Sequence, residues 1–331
     1  MTLDQEFYLE TIGDLDIESH LLRGDTEMSE RDKSEVRRLL GALAWLATQT
    51  APLISARVGL LLSSMKEGCT YAVARAASET LRDARREVCT RVVIGDLDET
   101  DPKRISAVVF QDSAFMNRAD GSSTGGLVAG FCSVDALKGG PVKINMVNWK
   151  SWKLERKATS SNDAETQSLA VGEDMCFRLR LLWGEMNGIG TDFGMDIRGR
   201  VAATMTHISG ITVSDSKGAF DAVMMNTSAT LGLCRSRTAI EAMALKQSFE
   251  EDENNHLVWL AGDWNISDAL TKEKAECRQG LREYLRTRVW RLKFDPKFIV
   301  SARKAKVKAI DEFRHVRSVI ARAASETAKD G

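Results

Sequence analysis

The sequence predicts an α/β protein: a five-stranded sheet flanked by helices, preceded by a small helical module and followed by a helical tail. Three observations carry that prediction. Apolar residues recur at helical spacing through much of the first hundred positions, an acidic segment follows, and from about position 105 short apolar runs alternate with turns and longer periodic stretches. Beyond the boundary the elements run βββαβα(α)β and then helix, an alternation that belongs to layered α/β architecture.

Residues 1–28 show no clear period and read as a flexible N-terminus. From Ser29 the pattern changes. Ser29 with Asp32 forms a helix start, and Val36, Leu39, Leu40, Leu43, Leu46 and Ala47 fall on one face. A second helix is expected from Pro52 to about Met65 and a third from Thr70 to about Val88, so 29–94 form a helical module. The acidic Gly95-Asp-Leu-Asp-Glu-Thr-Asp-Pro102 makes 95–104 a linker. In 105–275, strands are expected at Ser106–Phe110, Gly126–Val134 and Lys143–Trp149, then a long helix over Asp163–Met186. Strand Gly210–Ser214, helix Lys217–Met225, a polar helix near Arg237–Ser248 and strand His256–Leu260 complete the domain. Residues 276–331 form a basic tail, helical from Arg278 to about Arg322 with a break near Pro296.

At 331 residues the chain is long enough for about two domains with a sizeable core. Its charge is −1 overall, but the segment from Glu276 carries +8 and the rest −9. A basic tail follows an acidic body. The 6 Cys include no C-x-x-C pair, so neither a disulfide framework nor a zinc knuckle is legible, and reduced thiols are expected. No run reaches the roughly 18–20 apolar residues of a membrane span, and the acidic start is unlike a signal peptide. The expectation is no membrane partner and a cytoplasmic or nuclear location, not secretion.

Four carboxylates fall at strand ends or helix starts: Asp112 after Val-Val-Phe-Gln, Glu165 at the opening of the long helix, Asp215 after Ile-Thr-Val-Ser, and Asp268 just past the last strand. A single Asp in such a position is ordinarily a turn or cap residue. Four of them on this order of elements favour a site, because strand ends and helix starts of an open α/β sheet converge on one crevice. Clustered carboxylates repel one another and demand cations. Hard oxygen ligands select Mg²⁺, or Mn²⁺, and two ions about 3.5–4 Å apart are an arrangement for phosphodiester hydrolysis.

These residues lie in stretches that resemble the ribonuclease H domain at the C-terminal end of copia-type (pseudovirus) retrotransposon polyproteins. Asp112-Ser-Ala-Phe with Gly121-Ser-Ser-Thr-Gly-Gly126, Trp149-Lys-Ser-Trp-Lys153, Ala158-Thr-Ser-Ser-Asn-Asp-Ala-Glu-Thr-Gln-Ser-Leu-Ala170 and Trp264-Asn-Ile-Ser-Asp-Ala-Leu-Thr-Lys272 carry the resemblance. They are similar to the family's aspartate-led first strand, Ser-Thr-Ser-Gly turn, Trp-Lys-Ser segment, Ser-Ser-Thr-Glu-Ala-Glu-Tyr helix start and closing Ala-Asp-Leu-Thr-Lys. Val213-Ser-Asp-Ser-Lys-Gly-Ala219 resembles its Asp-Asn-Gln-Ser-Ala strand end. Upstream, Arg37-Arg-Leu-Leu-Gly-Ala-Leu-Ala-Trp-Leu-Ala47 resembles the family's Gly-x-Leu-x-Tyr-Leu-Ala between polymerase and ribonuclease H. Thr166 stands where the family has Tyr, and no His lies between Leu260 and Asp268. His256, ahead of that segment, reads as a solvated strand-edge residue.

The resemblance implies a ribonuclease H-like mixed five-stranded sheet after a reverse-transcriptase thumb or connection remnant. It implies Asp112, Glu165, Asp215 and Asp268 as catalytic, metal-binding carboxylates for two Mg²⁺ ions, with Asp163 a bystander. The implied activity is hydrolysis of the RNA strand of RNA/DNA hybrids. The implied partners are the hybrid itself and a polymerase palm and fingers region missing from this chain, which has no Tyr-x-Asp-Asp. The alternative is a catalytically inactive or co-opted remnant that binds nucleic acid or protein. For the substrate, phosphates and 2′-hydroxyls call for basic and small hydroxyl side chains, which Lys150, Lys153, Arg156, Lys157, Ser122, Ser123 and Thr124 would supply.

Overall fold

The computed structural model describes residues 1–87, 91–190, 194–224 and 236–292. Short elements β1 (Thr2–Leu3) and α1 (Glu6–Thr11) precede three longer helices, α2 (Glu30–Gln49), α3 (Ser55–Glu67) and α4 (Tyr71–Arg86). The Ser29 hydroxyl accepts the Asp32 N–H at 3.2 Å and donates to the Asp32 carboxylate at 2.8 Å, capping α2 as its sequence predicts. Tyr71 donates to the same carboxylate at 2.7 Å and so joins the starts of α2 and α4. Bonds from Tyr71 and Ser29 hold Asp32 below the usual carboxylate range. The apolar stripe of α2, Val36, Leu39, Leu40 and Leu43, packs with Ala74, Ala77 and Leu81 of α4.

Residues 1–28 correct the expectation of a flexible terminus. β1 pairs antiparallel with β2 (Val92–Val93), and Leu9, Ile12 and Met28 are buried against the helical core. Their apolar residues are too scattered to produce a period, yet each has a seat. The expected linker is likewise tied down: Gly95 exchanges two hydrogen bonds with the Asn145 amide, at 3.0 and 2.7 Å, and Lys143 pairs with Asp98 at 2.6 Å.

The second unit contains β3 (Ile105–Ala114), β4 (Thr124–Ser133), β5 (Pro141–Lys153), α5 (Ser161–Met186), α6 (Ile197–His207) and β6 (Gly210–Ser214). It continues with α7 (Lys217–Met224), α8 (Ser236–Glu251), β7 (Asn255–Trp259), α9 (Ala275–Thr287) and β8 (Val289–Arg291). The strands form one mixed sheet in the order β7-β6-β3-β4-β5-β8. β3, β4, β5 and β8 are antiparallel neighbours, whereas β6 and β7 extend the sheet parallel to β3. The sheet therefore has six strands, not five. The sixth escapes a sequence reading because it is three residues long with only Trp290 turned inward.

β3 is the central strand and every one of its residues is buried. Val108 and Phe110 pack on one face with Ile211, Val213, Leu260 and Leu270, and Ala107 and Val109 pack on the other with Cys176 and Leu179 of α5. The helical unit joins the first of these faces. Leu53 and Val92 belong to the same cluster, the Trp149 indole donates to the Ala47 carbonyl at 2.7 Å, and Arg118 donates to the Gly59 carbonyl at 3.0 Å. The beginning of the expected tail is also part of this body. Leu281, Tyr284 and Leu285 of α9 are buried in it, and the Tyr284 hydroxyl donates to the Ile144 carbonyl and accepts the Met146 N–H, both at 3.0 Å. The rest of that tail, residues 293–331, lies outside the described residues.

Candidate metal centre

The parallel pairing of β3 with β6 sets Phe110 opposite Val213, so Asp112 and Asp215 reach the same end of the sheet side by side. Asp268 arrives from a 3-10 turn, Ile266–Leu270, that packs on β3 and β4. One oxygen from each of Asp112, Asp215 and Asp268 lies within 4.8 Å of the other two. Asp112 is fully buried; the other two are half-buried. The sequence-based grouping of these three is thus realised in space.

Glu165 comes in on α5. The Ser168 hydroxyl, one turn further along α5, donates to the Asp112 carbonyl at 2.8 Å and fixes the helix against β3. Glu165 Oε2 is buried without a hydrogen-bond partner. Burial, then the charges of Asp112 and Asp215, push its carboxyl well above the usual range. Asp112 is raised well above that range by burial and then by Asp268 and Asp215, and Asp215 is raised by burial and Asp268. Acidic groups so destabilised as anions are short of positive charge.

Three neighbours shape the cluster. Asn265 donates to the Asp215 carboxylate at 3.0 Å and to the Gln111 carbonyl at 2.9 Å, which ties the turn to two strands. The Thr271 hydroxyl donates to Asp112 Oδ2. The Lys272 ammonium lies 2.6 Å from Asp268 Oδ1 and 3.2 Å from Asp112 Oδ2. Burial opposes its charge, but Asp112 and Asp268 raise its pKa above that of an ordinary lysine. None of these three residues is singled out in the sequence, although the four-residue spacing of Asp268 and Lys272 is a signal that could have pointed to the last.

Asp163 has a different task. It accepts from the Thr159 N–H and hydroxyl at 2.8 and 2.9 Å and from Gln167 at 3.2 Å, with a further bond from Thr238 of α8. Ser160 caps α5 by accepting the Asp163 N–H at 3.1 Å, while the Asp163 carboxylate closes back on Thr159 and anchors α8.

The expected substrate contacts divide. Ser122, Ser123 and Thr124, expected to supply hydroxyls to the substrate, are all buried and turned to other partners. Ser122 bonds Asp120, Ser123 accepts the Met116 N–H at 3.0 Å, and Thr124 accepts from Arg118 at 3.3 Å. They hold the turn's shape. Lys150 and Lys157 are exposed, Lys150 lying 5.4 Å above the Trp152 ring, whereas Lys153 pairs with Asp120 and Arg156 with Glu241. Across the sheet, Asp112 is level with Gly126 and Gly126 with Ser151. The basic stretch therefore shares the carboxylates' end of the sheet, about 10 Å away at two strand spacings.

His256 pairs with Ile211 on β7, near the opposite end of that strand, and is half-buried rather than solvated. Burial, and then Arg180, depress its pKa to about 4. Among the described residues, no helix is long and apolar enough to cross a membrane. In comparisons with family models, curated proteins and solved structures, none matches this chain.

Proposed function

We propose that this chain is a metal-dependent endoribonuclease of the ribonuclease H type that hydrolyses the RNA strand of RNA/DNA hybrids. The observation that carries the reading is the convergence of Asp112, Asp215 and Asp268 within 4.8 Å at the end of a mixed sheet, together with a buried Glu165 that feels the charges of two of them and has one oxygen without a hydrogen-bond partner. The donor set fits the group. It is composed of carboxylate oxygens alone, which suit Mg²⁺ or Mn²⁺ and offer nothing to softer metals.

Asp112, Asp215, Asp268 and Glu165 would hold the cations. When bound, these supply charge neutralisation and Lewis acidity at a phosphodiester. The protein's own contribution is positional. Asn265 sets the rotamer of Asp215, Thr271 that of Asp112, and Ser168 the seating of the helix that carries Glu165. The exposed Lys150 and Lys157 offer charge to a nucleic-acid backbone at the same sheet end. The strand order, with four antiparallel neighbours and two further strands parallel to β3, supports the same reading but leaves the chemistry to the site.

The test is cleavage of a labelled RNA/DNA hybrid beside matched RNA/RNA and DNA/DNA duplexes, in Mg²⁺ or EDTA. Hybrid-specific, EDTA-sensitive cleavage is expected. Asp112→Asn and Glu165→Gln, each preserving shape while removing a charged ligand, are expected to lower the rate by about 10²-fold or more. Hybrid binding without cleavage by the wild type would instead mark a binding remnant.

A further inference from the structure

Resting on that metal centre, we propose that Lys272 is a built-in counter-ion that takes the cation position between Asp112 and Asp268 and is exchanged for the divalent metal. The ammonium touches two of the three clustered carboxylates, at 2.6 and 3.2 Å. Its placement is local and fixed: the Lys272 N–H donates to the Asp268 carbonyl at 3.1 Å, which sets the side chain over Asp268. Thr271 meanwhile engages the same Asp112 oxygen that Lys272 approaches. Asp112 and Asp268 are thus bridged by one ammonium, with one hydroxyl also on Asp112.

A Mg²⁺ ion demands oxygens at about 2.0–2.1 Å in near-octahedral array. A metal at that distance from Asp268 Oδ1 and Asp112 Oδ2 and an ammonium on those same oxygens would be like charges in contact. Both cannot stay. Lys272 is the one able to leave, since it is a flexible point charge on a four-carbon stem and its side chain is 35% exposed. Metal affinity is then the outcome of a competition, weakened by the stability of the lysine-filled state. In return the metal-free cluster keeps its geometry instead of splaying under its own repulsion.

The experiment is a Mn²⁺ titration of the full chain, followed by electron paramagnetic resonance or calorimetry, for wild type, Lys272→Met, Lys272→Arg and Asp112→Asn. Thermal melts in EDTA and in saturating Mn²⁺ accompany it. Lys272→Met is expected to bind Mn²⁺ about tenfold or more tightly than wild type, to melt lower in EDTA, and to gain more from added Mn²⁺. Lys272→Arg keeps the charge and reaches further, so it folds without metal and is expected to bind Mn²⁺ no more tightly than wild type. Equal or weaker binding by Lys272→Met overturns the exchange while the metal centre stands, as does tighter binding by Lys272→Arg. Absence of saturable binding in wild type and Lys272→Met alike, both matching Asp112→Asn, overturns the centre together with the exchange.

Discussion

Asp112 is held in conditions that disfavour its charge: it is fully buried, two carboxylates stand beside it, and a single ammonium offsets them. With Asp112, Glu165 and Asp215 all raised, the metal-free native state binds more protons than the unfolded chain from the ordinary carboxylate range up to their elevated values. Stability in EDTA is therefore expected to fall as pH rises through that window. A divalent metal held by the ionised groups, as proposed, is expected to reverse the trend. Asp112→Asn is expected to flatten the slope in EDTA and raise the neutral-pH melting temperature by roughly 1–2 °C, about 1 kcal/mol for a chain of this length, while lowering the proposed cleavage. Melts across pH with and without Mg²⁺ check this; a lower Tm for the variant in EDTA would contradict it. At this scale the grouping of Asp112, Asp215 and Asp268 was legible because acidic residues at element ends are poorly explained by solubility. Asn265 and Thr271 were not, because a polar residue in a turn carries no mark of which distant strand it bonds. The Ser122–Thr124 hydroxyls misled for a related reason: composition does not tell an inward turn from an outward one.

Among the elements, the 3-10 turn that carries Asp268 depends on β4 having no side chain beneath it. A Cβ at Gly126 would meet Thr271 Cγ2 at 2.7 Å and Leu270 Cβ at 2.9 Å. Gly126→Ala is expected to lift the turn from the sheet, costing about 1–3 kcal/mol and weakening Mn²⁺ binding, although three strands, β5, β6 and β7, separate the position from Asp268 in sequence. Denaturant melts combined with metal titration test it, and unchanged metal affinity would show that the turn is not positioned from below. The long elements could be read from their periods. Strand Gly210–Ser214 has the bounds its sequence predicts, and the long helix begins two residues earlier than expected and ends at the same residue. α6 was missed because it buries only Thr204 and has no apolar stripe, and β1, β2 and β8 are too short to carry one.

In the molecule as a whole, the helical unit and the sheet share a core. Leu53, from the turn between α2 and α3, is 3% exposed within the cluster that lies under Val108 and Phe110. Arg282 of α9 pairs with Glu87 at the end of the helical unit, at 2.9 Å through Nε. Leu53→Ala is expected to cost about 2–5 kcal/mol and to lower the stability of both units together, visible as one cooperative transition displaced to lower denaturant. Two transitions, with only one displaced, would show that the units unfold separately. A boundary in the sequence texture near position 95 marks a change of secondary structure, then, and not a break in packing. Shared burial of this kind leaves no trace in local pattern, since Leu53 looks like any other apolar residue of a helical hairpin.

The hydrogen bond between Thr271 and Asp112 joins residues 159 positions apart, and the strand beyond it, β8, returns to the far edge of the sheet against Pro141–Lys143. During synthesis the first carboxylate emerges long before its partners. A nascent or cleaved chain ending anywhere before Asp268 would carry the sheet's beginnings but no assembled cluster. Such a topology is slow to close, because distant segments must meet before their contacts reward the meeting. The arrangement makes the acidic centre a checkpoint on completion: partial products lack the assembled cluster.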